Sequence, residues 1–152
     1  MQVSQKCIDL VKRHEGFISN TYLCPSGYKT IGFGHRTDEM TTITEPEAEN
    51  LLRRDLNKFA SKISYSLEQD HITVNQNQFD ALCSFAFNLG YSALVFSTLW
   101  KKLKVGDYKG AGAEFPKWVY ITKTDPNTGE RFKLKLKGLE ARRKSEQELF
   151  NC

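Results

Sequence analysis

The stretch from Glu15 to His35, EGFISNTYLCPSGYKTIGFGH, limits the fold most strongly, because the hydrophobic period changes inside it. Just before it, Cys7, Ile8, Leu10 and Val11 recur at the spacing of one helical stripe, with Ser4 as N-cap and Gly16 as stop. Within it, Thr21–Leu23 and Lys29–Ile31 are β-prone runs, and Pro25-Ser26-Gly27 between them reads as a turn. A third short strand near Met40–Ile43 would complete a small sheet. The first helix would therefore deliver Glu15 at its C-terminal end, where the macrodipole disfavours a negative charge. Gly32 and Gly34 allow the backbone to approach a neighbour closely.

The rest of the chain reads as helical. Thr44 caps a helix with Pro46 in its first turn and Glu47 at the capping-box position, and Leu52, Leu56, Phe59 and Ile63 line one face to about residue 65. Asn75 opens another helix, with Phe79, Leu82, Phe85, Ala86 and Leu89 on one side and Gly90 as its stop. Its apolar content marks it as the central helix of a larger helical unit. Short helices follow at Ser92–Leu94 and Ser97–Leu103. Gly106 punctuates, Asp107 caps the next segment and Pro116 ends it. Thr122–Gly129 is a polar turn region, and Arg131–Lys137 alternates basic and apolar residues as a hairpin or an extended lid. The final helix spans about 138–150, with Leu139, Leu149 and Phe150 inward.

A chain of 152 residues supports one domain or one bilobed unit with a proper core. Its net charge of +4 favours anionic polymers: nucleic acid, membrane surfaces or acidic wall glycans. No apolar run reaches the ~18 residues of a transmembrane helix. The opening MQVSQKCIDLVKRHEG lacks the order of a signal peptide, so a chain made in a host cytoplasm is expected. Cys7, Cys24, Cys83 and Cys152 show neither a CxxC pair nor metal-ligand spacing. Cys7 and Cys83 read as small core residues, a disulfide framework is not expected, and neither a metal nor a cofactor is implied.

A glutamate held against a β-hairpin suits glycosidic bond cleavage, in which one carboxylic acid protonates the leaving oxygen and groups opposite manage water or the cation. The pattern E-G-x5-Y-x-C-P-x-G-x2-T-I-G-x-G-H resembles the phage-type lysozymes, endolysins of glycoside hydrolase family 24. QFDALCSFAFNLG at 78–90, the STLW, KKL and GDY blocks within 97–108, EFPKW at 114–118 and GLEARRKSEQEL at 138–149 follow in that family's order. The resemblance implies an α+β fold: a small N-terminal lobe with a short antiparallel sheet (about 14–45), a connecting helix (about 45–65), and a larger helical lobe (about 66–152) that includes the N-terminal helix. It implies hydrolysis, by inversion, of the β-1,4 bond between N-acetylmuramic acid and N-acetylglucosamine in bacterial peptidoglycan.

By the same resemblance Glu15 is the general acid, paired with Arg142 or Arg143 of the last helix. Thr30 holds the attacking water, and Cys24 stands where aspartate is more familiar. A thiol ionises near ~8.5, so only a few per cent is thiolate at neutral pH. Cys24 is therefore a weaker electrostatic partner than a carboxylate, a nucleophile, or a half-buried structural cysteine. Gly34, Phe87 and Asn88 fall at the cleft, where a ring and an amide meet sugars; core packing is the bland reading of Phe87. A solvated basic face is the bland reading of the arginines. His35 is expected to be structural, bonded to a carboxylate behind the sheet, and His14 to tune Glu15 only if the two face the same way. The implied partner is peptidoglycan, with a holin for release, no nucleic acid, no membrane anchor and a monomeric enzyme acting at the wall. A lytic transglycosylase, a secreted antibacterial effector, an inactive wall-binding module, a cysteine hydrolase using Cys24 and His35, and nucleic-acid binding through KLKLK at 133–137 are the competing readings.

Overall fold

The computed structural model describes residues 1–23 and 27–152. The Pro25–Gly27 turn thus lies largely outside the described residues. Helix α1 spans Gln5–Glu15. The Ser4 side chain accepts from the Lys6 N–H at its start, and the Gly16 N–H donates to Lys12 O at its end, with φ of 71° at Gly16. Ser4 in turn donates, through backbone and hydroxyl, to the buried carboxylate of Asp80. That bond ties the first helix to the centre of the molecule.

Strand β1 (Ile18–Leu23) pairs antiparallel with β2 (Lys29–Gly32), which pairs with β3 (His35–Arg36). Tyr22 faces Thr30 and Ile31 faces His35 across the two ladders. The third strand is therefore His35–Arg36 and not Met40–Ile43. Gly32 and Gly34, at φ of 67° and 79°, fold the chain straight back onto β2. The 40–43 segment runs beside β1, bridged from Thr42 to Asn20, with the Ile43 N–H donating to Ser19 O and the Thr21 N–H to Thr41 O, before the next helix begins.

Helix α2 (Glu45–Gln69) has Thr44 as its N-cap and runs four residues past the expected end. At 1.5 Å per residue its 25 residues reach about 37 Å, enough to join two lobes. Its buried stripe is Ala48, Leu52, Leu56, Ala60, Ile63 and Leu67. Each large side chain removed from water there contributes about 1.5–3 kcal/mol. The sheet rests on the start of this helix: a Cβ on Gly32 would lie 3.0 Å from Ala48 Cβ.

Helix α3 (Gln76–Leu89) opens with a reciprocal capping box between Asn75 and Gln78. It is buried on every side from Phe79 to Ala86, as a central helix must be. Helices α1, α2, α4 (Tyr91–Val95) and α7 (Lys137–Phe150) pack around it. Between α4 and α7 come α5 (Thr98–Lys104), α6 (Tyr108–Gly112), a 3₁₀ turn at Phe115–Lys117 and a hairpin of β4 (Tyr120–Thr124) and β5 (Arg131–Lys135). One apolar core reaches from Ile31 and Phe33 of the sheet lobe to Phe150 at the far end of α7.

Helix α7 departs most from its amphipathic pattern. Its buried face is Arg142, Arg143, Glu146 and Phe150, while Leu139 and Leu149 are only half-buried. The solvated basic face expected for one of the arginines does not exist, because both guanidiniums find a carboxylate inside.

Candidate active site

A cleft of about 800 Å³ opens between the sheet lobe and the helical lobe. Both lobes supply its walls. The end of α1 supplies Glu15, and β2 supplies Thr30. Gly34, His35 and Arg36 come from the β2–β3 turn and β3, Asp55, Lys58 and Phe59 from α2, and Phe87 and Asn88 from the end of α3. Cys24 lies outside the described residues.

Glu15 keeps about a quarter of its side chain exposed, and Arg142 Nη1 donates to its Oε1 at 2.6 Å. The other oxygen lies over Gly34: a Cβ built there would stand 3.0 Å from Oε2 and 3.3 Å from Cδ. Gly34 is thus the only kind of residue that leaves the carboxyl this seat, and its φ of 79° suits glycine as well. Glu15 is consequently held from behind by a charge and from the side by backbone, with one oxygen left for a proton.

Arg142 is itself clamped. Its Nε donates to Glu146 Oε2 at 3.4 Å, and its Nη2 donates to Ser84 O at 3.3 Å. Arg143 Nη2 donates to the same Glu146 oxygen at 3.1 Å and to Asn88 Oδ1 at 2.8 Å. Arg143 Nε stands 2.7 Å from Glu146 Oε1, an ion-pair contact off the line of the N–H bond. Ser84 Oγ also donates to Glu146. Burial pushes the Glu146 carboxyl up and the Arg143 guanidinium down, and their mutual attraction opposes both shifts. With two guanidiniums and a hydroxyl converging on one carboxylate, the charged pair is the arrangement the geometry favours.

His14 does not face Glu15; its Nε2 meets Ser145 Oγ at 2.9 Å. Burial, followed by the positive charge of Arg142, holds its imidazole below the usual range. His35 Nδ1 lies 2.7 Å from Asp55 Oδ2. Both residues line the cleft, so the carboxylate is beside the substrate channel and not behind the sheet. Thr30 is buried and its hydroxyl donates to Tyr28 O at 3.2 Å. With its hydrogen engaged, that oxygen meets a cleft water only as an acceptor. Phe87 packs edge-on to Phe59 at 5.9 Å and lines the cleft, so packing and floor are one role.

Sequence reasoning missed Glu146, Asp55 and Lys58. The first had a usable signal: Arg142 and Arg143 stand four and three residues before Glu146, the spacings at which helical side chains meet. Asp55 and Lys58 sit among other charges on a long helix, with nothing local to set them apart.

A mixed fold with an open, elongated cleft between its lobes and a clamped carboxyl at the wall defines a glycan-cleaving enzyme of the lysozyme class. The profile of the phage lysozyme family matches residues 12–146, and the chain belongs to that family. It is 41% identical to the endolysin of Acyrthosiphon pisum secondary endosymbiont phage 1, over 99% of this chain and 98% of that one. The solved muramidase domain of SpmX from Asticaccaulis excentricus is similar with a TM-score of 0.86 at 30% identity, covering 99% of this chain and 98% of that chain. The endolysin from Escherichia coli O157:H7 phage FAHEc1 gives 0.85 at 31% identity, covering 99% and 93%.

Proposed function

We propose that Glu15 is the general acid of a muramidase that cleaves the β-1,4 bond between N-acetylmuramic acid and N-acetylglucosamine with inversion. The observation that carries this is the seat of Glu15: one oxygen bonded to Arg142, the other over Gly34 at the cleft wall. The acid gives its proton to the leaving sugar oxygen as the bond to the anomeric carbon breaks. Water, ordered by the acceptor oxygen of Thr30 and by Cys24, attacks the opposite face and gives up its proton to solvent, from which Glu15 is reprotonated for the next turnover. Phe87 and Asn88 form the floor on which the glycan lies.

The same reading has the enzyme act as a monomer, because the cleft is built within one chain. It also has the enzyme act on peptidoglycan at the wall after release through a holin, as the phage endolysins it resembles are named for lysis from within. Release of reducing sugar from purified sacculi by the unaltered protein, and none by a folded Glu15→Gln variant, is the expected result. Equal release by both removes Glu15 as the acid.

One observation favours a second reading. Asp55 gives His35 the orienting carboxylate that a cysteine hydrolase using Cys24 would need. Thiol alkylation separates the two: it abolishes activity under the cysteine reading and leaves hydrolysis, reduced or intact, under the muramidase reading.

A further inference from the structure

The hydrogen bond between Arg143 and Asn88 fixes more than the helix packing. Asn88 is the penultimate residue of α3 and lines the cleft beside Phe87. An amide side chain presents either an acceptor or a donor, and the two ends are chosen by their neighbours. Here the neighbour is a guanidinium, which only donates, so the oxygen must face it: Arg143 Nη2 to Asn88 Oδ1, 2.8 Å. Arg143 has no freedom to release that oxygen. It is fully buried, paired with Glu146 at 2.7 Å, and stacked over the Phe85 ring at 5.1 Å.

We infer that Arg143 is a positioning residue that locks the Asn88 amide with its N–H2 toward the glycan, making this part of the cleft floor a donor for the carbonyl oxygen of a sugar N-acetyl group. The inference rests on the muramidase reading, in which such sugars occupy the cleft. The chemistry selects the ligand atom. A donor-only amide beside an aromatic floor matches a neutral acceptor next to an apolar ring face, and an acetamido carbonyl is that acceptor. A free amine at the same carbon is a cation with hydrogens of its own, and two donors would confront each other. A site whose polar group is left unpaired by the wrong substrate discriminates strongly, so about ten- to a hundredfold in KM is expected between acetylated and de-N-acetylated glycan.

The test measures kcat and KM on soluble peptidoglycan glycan strands and on the same strands after chemical de-N-acetylation. Four proteins are compared: unaltered, Asn88→Asp, Arg143→Lys and the double variant of both. Asn88→Asp keeps the size and still accepts from Arg143, but presents an acceptor to the sugar. It should raise KM about ten- to a hundredfold on acetylated strands with little change in kcat, and lose or reverse the preference on de-N-acetylated ones. Arg143→Lys keeps the charge beside Glu146 but lacks the planar fork that holds Asn88. It should lose the acetyl preference, and the double variant should lose no more than Asn88→Asp alone. If Arg143→Lys does not fold, Asn88→Asp alone decides. An equal loss on both substrates, or a folded Arg143→Lys with unaltered preference, overturns the inference while the muramidase reading stands. No product from either substrate with the unaltered protein overturns both.

Discussion

Replacing Gly34 by alanine tests whether the Glu15 seat matters for chemistry or only for folding. Two costs follow from the structure. Alanine at φ of 79° occupies the left-handed region, which costs an L side chain roughly 1–2 kcal/mol. For a chain of this size that lowers Tm by about 2–8 °C. The second cost falls on the site. The new Cβ would stand 3.0 Å from Glu15 Oε2, so the carboxyl must retreat by about half an ångström to reach ordinary contact. It cannot do so freely, because Arg142 holds its other oxygen at 2.6 Å. A misplacement of about 1 Å costs on the order of a hundredfold in rate, so about tenfold is expected here. Gly32→Ala is the control. Its φ of 67° brings similar strain, and its Cβ would meet Ala48 Cβ at 3.0 Å, but it does not touch Glu15. Calorimetry and sacculus hydrolysis, assayed well below both melting temperatures, should show both variants destabilised and only Gly34→Ala slowed. Equal rates in the two variants, whether both slow or both unaffected, would refute the reasoning.

Arg142→Met removes a partner from the fully buried Glu146, which retains Arg143 and Ser84. The loss should fall at the low end for a broken buried pair, about 3 kcal/mol, and lower Tm by about 6–12 °C in a calorimetric scan; a change under about 1 kcal/mol contradicts the buried network. Acid stability has a separate origin. Burial raises the Glu114 carboxyl, but the bonds from Lys102 at 2.6 Å and Lys117 at 2.9 Å outweigh it and hold it below its ordinary 4.5. Unfolded chains then bind the proton first, so this contribution is full above pH 4.5 and fades as pH falls through the lower folded value. Denaturant titrations across that range should show a shallower acid loss for Glu114→Gln, and an unchanged slope would remove Glu114 as the cause.

The local parts of this fold were readable because their signals are local. Ser4, Thr44 and Asn75 each cap the helix expected of them, since a side-chain oxygen before an apolar stripe has few other uses. The third strand was misplaced because its position depends on two glycine-directed reversals, while among the described residues the β-prone 40–43 segment meets only the outer edge of β1. The charged face of α7 was only half readable, since the spacing of Arg142, Arg143 and Glu146 offers the pairing but not its burial. Patterning assigns charge to solvent, and only the tertiary approach of Glu15, Ser84 and Asn88 turns Arg142, Arg143 and Glu146 inward. The residues lining the cleft came from family pattern and not from periodicity, which treats Phe87 as core and Thr30 as a strand residue.

Mass spectrometry of purified peptidoglycan, digested by the unaltered protein and by Glu15→Gln, tests the central claim most directly. Muropeptides with free reducing N-acetylmuramic acid ends are expected from the unaltered protein only, with the variant matching its Tm. Anhydro ends would make it a transglycosylase, and peptide cuts a different hydrolase. The same reducing ends from the Glu15→Gln variant would remove Glu15 as the acid and with it the muramidase mechanism built on its seat.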